Sequence, residues 1–213
     1  CETRVQPVAE GVRPAQRLVL VSRDVTDLRD SEERALVAAG ALEAMDYLQR
    51  HRGPDGHGLW MHPQLGVGLG HRRLSIIDLG GGHQPMAGPG DRYWIVFNGE
   101  IYNYRTLREE LIARGHTFRS HSDTEVIVQL YAERGEDCVH ALNGMFAFAI
   151  WDARRQQLLL ARDRIGIKPL YYRRDNEKLL FGSELKAILA YGDVTREINP
   201  ASLEEYLTFG MIS

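Results

Sequence analysis

With 213 residues, 44% of them hydrophobic, the chain can bury a substantial core in one large domain or two small ones. Its 26 basic and 29 acidic residues leave a net charge of -3, which argues against nucleic acid or an anionic membrane as the main partner. No apolar run reaches membrane-spanning length and the N-terminus lacks the apolar core of a secretory signal, so a cytoplasmic protein is expected.

Cys1 and Cys138 form neither a metal-ligand spacing nor a disulfide framework, and a bridge between them would be unusual in the cytoplasm. As the first residue, Cys1 carries a thiol and an α-amine together, and the amine can act as the thiol's own general base. The bland alternative is that it only marks where the sequence starts. Residues 2–16 show little periodicity and read as an extended or mobile lead, followed by a buried-type strand over Leu18–Val21. A charged stretch from Asp24 to Glu33 leads into a helix over roughly Glu32 to Arg50, with Val37, Ala41, Ala44 or Met45, and Leu48 on its apolar stripe. Arg50-His51-Arg52-Gly53-Pro54-Asp55-Gly56 stops it, because Pro54 cannot continue a helix. Those cations suit either a functional loop or a helix C-terminus.

Leu65 to Leu69 and Leu74 to Ile77 read as strands joined by the polar His71-Arg72-Arg73. Gly80-Gly81-Gly82 is a flexible turn without the lysine and hydroxyl of a phosphate loop. The strand Tyr93 to Phe97 ends at Asn98-Gly99. This dipeptide is a common turn, yet a side-chain amide beside an accessible backbone N–H is also the simplest oxyanion hole. A helix follows with Asn103 as N-cap, Tyr104, Leu107 and Leu111 on one face, and Gly115 as its stop. Ser122-Asp123-Thr124-Glu125 reads as a capping box at the head of a helix that ends at Gly135, and Asp123 in the first turn is stabilised by the helix dipole whether or not it binds anything.

From Met145 the pattern is that of a sheet: Met145 to Trp151, Gln157 to Ala161, Leu170 to Tyr172, and Leu179 to Phe181, with hairpin-length turns between. A short helix from Ser183 should turn Leu185, Ile188 and Leu189 inward, and another starts at Asn199-Pro200 with Leu203, Tyr206 and Leu207 as its apolar positions. The sum is a layered α+β chain with at least one largely antiparallel sheet. Without internal repeats or a low-complexity linker, one domain is expected. The eight histidines form no zinc-ligand spacing, so no metal is expected, and no glycine fingerprint supports a dinucleotide fold.

Several long motifs stand in a fixed order: Arg50 to Gly56; His71-Arg72-Arg73-Leu74-Ser75-Ile76-Ile77-Asp78; Asn98-Gly99-Glu100-Ile101-Tyr102-Asn103-Tyr104; Ser122 to Ile127; Leu142 to Phe148; and Ala161 to Tyr172. Together they resemble the class II glutamine amidotransferase domains, most closely the glutaminase domain of glutamine-hydrolysing asparagine synthetases, over roughly residues 40–213. The resemblance implies an N-terminal-nucleophile fold, an αββα sandwich with two largely antiparallel sheets between helical layers. It implies a single type-2 amidotransferase domain over residues 1–213, in which 199–213 begin the connection to a synthetase half.

The same resemblance implies hydrolysis of L-glutamine through a cysteinyl thioester, with ammonia passed to the synthetase domain. Arg73 would hold the α-carboxylate, Asp123 would receive the α-ammonium, and the Asn98 amide with the Gly99 N–H would stabilise the oxyanion. Leu74, Ile76 and Glu100 would wall and rim the pocket, and Cys1 would be the nucleophile with its α-amine as base. No cofactor is implied in this domain; ATP and magnesium belong to the synthetase half. Dimerisation is a family expectation, and asparagine formation from aspartate the commonest acceptor chemistry. The chain departs from the family at its start: members begin Cys-Gly-Ile on the first strand, whereas Cys1 precedes Glu2-Thr3-Arg4 and the strand Leu18–Val21 has no cysteine. A non-catalytic module with a regulatory or interaction role is therefore the alternative.

Overall fold

The computed structural model describes residues 18–21, 28–74, 81–175, 178–192, 194 and 196–210, with side chains from residue 38 onward. Strands β1 (Leu18–Val21), β7 (Gln157–Arg162), β6 (Gly144–Asp152), β5 (Tyr93–Ile101) and β4 (Met86–Ala87) form one five-stranded antiparallel sheet in that spatial order. Its centre is β6, in which every residue from Phe146 to Asp152 is buried. The alternation in Phe-Ala-Phe-Ala-Ile-Trp explains why. Phe146, Phe148 and Ile150 point to one face, where they pack with Ile95, Phe97 and Ile101 of β5. Helices α2 (Tyr104–Ala113) and α3 (Asp123–Arg134) cover that face through Leu107, Leu111, Val126, Ile127 and Leu130. On the opposite face Ala149 and Trp151 meet Val96, Leu160 and Leu69.

That second face is covered by two antiparallel hairpins, β2 (Gly56–His62) with β3 (Val67–Arg73) and β8 (Tyr171–Arg174) with β9 (Leu179–Gly182). Outside them lie α1 (Leu28–Leu48), packed on β3, and α4 (Leu185–Leu189), packed on α1 and β9. Val67-Gly68-Leu69-Gly70 shows how sequence seats this layer. Leu69 points into the sandwich, while a Cβ at Gly68 or Gly70 would stand 3.0 or 3.3 Å from the methyls of Leu42 on α1. The arrangement is helices flanking stacked antiparallel sheets, as expected, with the second layer divided into two ribbons among the described residues. No helix of the described residues is long and apolar enough to cross a membrane.

The turn between β6 and β7 is built on Asp152, which accepts the N–H groups of Arg154 and Arg155 at 3.0 and 3.1 Å. The same carboxylate receives a fork from Arg92, at 2.9 Å from Nε and 2.6 Å from Nη2.

Several local expectations change. His71, Arg72 and Arg73 are not a connector but the end of β3, and the strand expected at Leu74 to Ile77 lies, past Leu74, outside the described residues. Strand β2 was not legible at all. β5 does not end in a turn at Asn98-Gly99 but runs on to Ile101. A Cβ at Gly99 would meet the carbonyl oxygen of Met145 at 2.2 Å and Cα of Phe146 at 2.8 Å, so glycine is required by close strand approach. Asn103 occupies the N-cap position of α2 without capping it; its amide bonds Ala141 O and its oxygen accepts the Asn143 N–H. Ser122 does cap α3, accepting the Thr124 N–H at 3.2 Å. Glu125 does not reciprocate, because it takes the N–H groups of Arg119 and Ser120 instead. Gly135, with φ of 60°, ends α3 as read. In α4 the buried residues are Ala187 and Ile188, while Leu185 is exposed. Helix α5 (Pro200–Phe209) is capped by Asn199 as expected, yet buries no residue.

Candidate functional site

A cavity of about 1260 Å³ opens between the two sheet layers, and Arg73, Leu74, Asn98, Glu100, Gly99 and Asp123 all line it. Of the residues singled out in the sequence, Cys1 and Ile76 lie outside the described residues. Three elements deliver the other six: the end of β3 brings Arg73 and Leu74, the end of β5 brings Asn98, Gly99 and Glu100, and the first turn of α3 brings Asp123.

The chemistry of this wall follows from how the β5 edge is used. The short β4 pairs with β5 only at Trp94 and Ile95, so beyond it the edge needs other partners. The Phe97 N–H donates to Gln84 Oε1 at 2.6 Å, and His71 Nε2 donates to the Phe97 carbonyl at 3.0 Å. The Ile101 N–H donates to Asp123 Oδ2 at 3.1 Å. Strand alternation puts the Gly99 N–H on this same edge, between those two occupied positions. The other side of the ladder agrees. Phe146, opposite Gly99, spends both its backbone groups on Asp163, its N–H on Oδ2 at 3.2 Å and its carbonyl on the Asp163 N–H at 2.7 Å. It is therefore turned away from β5, and Gly99 away from β6.

Asn98 alternates to the face shared with Val96, and its Nδ2 is buried without a hydrogen-bond partner among the described residues. An unsatisfied buried donor costs about 1–3 kcal/mol, so in a cavity wall it is a feature that a ligand oxygen can complete. Asp123 is itself buried, at 4% exposure. Burial pushes its carboxyl above the usual range; the Ile101 and Thr124 N–H groups oppose this, and the nearby Glu100 charge adds to it. Such a carboxylate gains from an arriving cation. Arg73 is also buried, at 8% exposure, and offers the planar fork suited to a carboxylate.

The loop after α1 supports this arginine. A Cβ at Gly53 would lie 2.3 Å from the Arg72 carbonyl carbon, and the Asp55 N–H donates to the Arg73 carbonyl at 3.1 Å. Gly53 thus lets the turn close against the strand end beneath Arg73. His51 and Arg52 reach Glu184 at 2.9 and 3.4 Å, with Lys186 at 3.0 Å on its other oxygen. Burial resists ionisation of Glu184, but hydrogen bonds from Lys186 and His51 outweigh it and take its pKa down to about 2. The loop whose role the sequence left open is a brace for β3 and α4.

Among the cavity residues that the sequence reading did not single out are His71 and Gln84. The spacing Leu69, His71, Arg73 held the signal for the first, since a single strand from Leu69 would put all three on one face. Burial pulls the His71 pKa down to about 4, so the ring is neutral, and its bond to a carbonyl fixes the proton on Nε2. Cys138 is wholly buried in the helix-side core, where burial pushes its thiol up to about 12; it is packing material.

Comparison with known proteins bears on what this wall does. A family model described as "Glutamine amidotransferase domain" matches residues 28–213. Asparagine synthetase [glutamine-hydrolyzing] 3 of Bacillus subtilis is 44% identical over 188 residues, which cover 87% of this chain and 30% of the relative. Asparagine synthetase [glutamine-hydrolyzing] 1 of the same organism is 46% identical over 172 residues, covering 80% of this chain and 27% of the relative. The chain thus spans about a third or less of these relatives' length. Among solved structures, glutamine phosphoribosylpyrophosphate amidotransferase from B. subtilis aligns with a TM-score of 0.58 at 20% identity, over 74% of this chain and 41% of that one, a likeness of fold.

Proposed function

The chain belongs to the glutamine amidotransferase domain family, and on that premise we propose that it is the glutaminase part of an asparagine-synthetase-like enzyme. It hydrolyses the side-chain amide of L-glutamine to glutamate and ammonia and hands the ammonia to an ATP-dependent synthetase domain. The observation that carries this reading is the buried, unpartnered Asn98 amide in a wall shared with Arg73 and Asp123. Glutamine offers a carboxylate to Arg73, an ammonium to Asp123, with Glu100 at the rim, and a carbonyl oxygen that becomes an oxyanion beside Asn98 and the Gly99 N–H.

The proposed nucleophile is Cys1, which lies outside the described residues. Of the two cysteines in the sequence, Cys138 is unsuited, being buried with a thiol raised to about 12. In the proposed reaction the α-amine of Cys1 takes the thiol proton, and sulfur attacks the amide carbon. The tetrahedral oxyanion forms at Asn98 and Gly99, and collapse expels ammonia with the proton held by the amine. Water then attacks the thioester through the same oxyanion geometry and releases glutamate and the thiol. Leu74 lines the cavity, and Ile76, which lies outside the described residues, is proposed as a second wall residue.

The test is release of ammonia and glutamate from glutamine by wild type, Cys1→Ala and Cys138→Ala. Activity lost in Cys1→Ala and kept in Cys138→Ala is expected. Equal activity in wild type and Cys1→Ala removes Cys1 from the mechanism, and an inactive wild type favours a non-catalytic module with a regulatory or interaction role.

A further inference from the structure

The two donors of the proposed oxyanion site stand next to a residue whose backbone is held at both ends by side chains from outside its own sheet. Among the described residues Phe97 has no strand partner on its free edge. Its N–H is taken by Gln84 Oε1 at 2.6 Å, and its carbonyl is taken by His71 Nε2 at 3.0 Å. That carbonyl and the Asn98 nitrogen belong to one planar peptide unit, so holding the oxygen fixes where the Asn98 backbone lies.

Each holder also leads to another part of the site. His71 is two residues from Arg73 on β3, on the same strand face, so its bond to Phe97 ties the carboxylate-binding strand to the oxyanion strand across the gap between layers. Gln84 donates through Nε2 to Thr124 Oγ1 at 3.2 Å. It thereby ties β5 to the first turn of α3, which carries Asp123, and Asp123 closes the circuit through the Ile101 N–H at 3.1 Å. Arg73, Asp123 and the Asn98-Gly99 pair are thus cross-braced by hydrogen bonds, two of which meet on Phe97.

Close fit reinforces the brace. A Cβ on Gly58 of β2 would stand 2.2 Å from the Gln84 carbonyl oxygen, so the loop carrying Gln84 lies tightly against the second layer. His71 is neutral across the working pH range, its pKa drawn down to about 4 by burial. It remains a single-proton donor with a fixed tautomer.

We propose that His71 and Gln84 are positioning residues for glutamine hydrolysis: by gripping the two backbone groups of Phe97 they set the Asn98 amide and the Gly99 N–H at the height where the oxyanion forms, relative to Arg73 and Asp123. Neither touches glutamine in this scheme. The inference rests on the glutaminase reading. It predicts that loosening the grip lowers transition-state stabilisation while leaving substrate binding nearly intact, since Arg73 and Asp123 hold the amino-acid end and keep their own supports, the Asp55 N–H on the Arg73 carbonyl and the Ile101 N–H on Asp123.

The experiment measures kcat and KM for glutamine in the full chain carrying His71→Leu, Gln84→Met or Gln84→Glu, with active sites counted by stoichiometric alkylation with a chloroketone analogue of glutamine. Gln84→Glu keeps an acceptor for the Phe97 N–H, whereas the isosteric Gln84→Met removes it. Expected are kcat values per titrated site lower by about 10- to 100-fold for His71→Leu and Gln84→Met, KM within about threefold of wild type, and substantial recovery of kcat in Gln84→Glu. A merely structural role would lower the titrated fraction and leave kcat per site alone. That outcome, or equal kcat in Gln84→Glu and Gln84→Met, overturns the inference while the glutaminase reading stands. A wild-type chain without glutaminase activity overturns both.

Discussion

Replacing Asn98 by leucine should separate stability from activity. The two side chains are similar in size, and the change deletes a buried amide nitrogen that has no partner among the described residues. Relief of an unsatisfied donor is worth about 1–3 kcal/mol, and an imperfect hydrophobic swap costs typically about 1.5 kcal/mol or less. Asn98→Leu should therefore be at most about 0.5 kcal/mol less stable than wild type and up to about 3 kcal/mol more stable, so its melting temperature should fall by no more than about 1–2 °C. Its glutaminase kcat should fall by about 10²–10³, the usual loss for one oxyanion donor, or about 2.7–4 kcal/mol of transition-state stabilisation. Thermal unfolding and steady-state ammonia release on the same preparation provide the assay. A destabilisation above about 2 kcal/mol would mean that the amide is hydrogen-bonded in the native state, and kcat within about threefold of wild type would remove it from the oxyanion site; either result refutes the reasoning.

Other substitutions test the remaining parts. Arg73→Lys keeps the charge but loses the fork, so KM for glutamine should rise by about 10- to 100-fold at little cost in kcat, read by steady-state kinetics. Asp123 has a raised pKa and must be ionised to receive the α-ammonium. Hence kcat/KM should fall as pH drops through a value above the ordinary carboxylate range, and Asp123→Asn should lose that acidic limb while raising KM. Gly99→Ala forces a methyl to 2.2 Å from the Met145 carbonyl oxygen; overpacking of this kind costs typically about 1–3 kcal/mol, visible as a lower denaturation midpoint. For Asp152, burial raises the pKa but the Arg92 fork and the Arg154 and Arg155 N–H groups outweigh it, leaving it depressed. Its stabilisation is then present above the ordinary carboxylate pKa and lost as pH falls through the folded value. The stability gap between wild type and Asp152→Asn should close on acidification, measured by urea unfolding across that range.

Where packing and local chemistry agree, the sequence spoke clearly. Met145 to Trp151 reads as a strand because a fully buried strand has no polar face to interrupt it, and Ser122 reads as a cap because its hydroxyl acts within two residues. Strand β2 escaped because Gly56-His57-Gly58 carries turn residues, and only the approach of the Gln84 carbonyl to Gly58 reveals why glycine is there. Asn98-Gly99 was ambiguous for the same reason: the glycine answers to Met145 and Phe146, far away in sequence. Glu125 satisfied a local motif but found better donors at Arg119 and Ser120. Arg73, Leu74, Asn98, Gly99, Glu100 and Asp123 could be named together through the family resemblance, and they line one cavity. His71 and Gln84 could not, because their roles depend on which backbone edge lies opposite them. The apolar positions of α5, Leu203, Tyr206 and Leu207, are exposed, since periodicity shows that a helix has an apolar side without showing what covers it.

The location of Asn98 and Gly99 within the central ladder bears on exchange kinetics. They lie opposite Ala147 and Phe146 of β6, a strand flanked by β5 and β7 and buried through most of its length. Amide protons in such a ladder exchange with solvent mainly through global opening, whereas those of α5, which buries nothing, exchange through local fraying. The Asn98 backbone N–H, which faces β6, belongs to this slowly exchanging ladder, whereas the Gly99 N–H on the free edge is held by no strand bond among the described residues and faces the cavity. A ligand-dependent change in protection should be sought at the Gly99 N–H and in the elements around the cavity, because the ladder-bonded amides of this strand have little freedom left to lose.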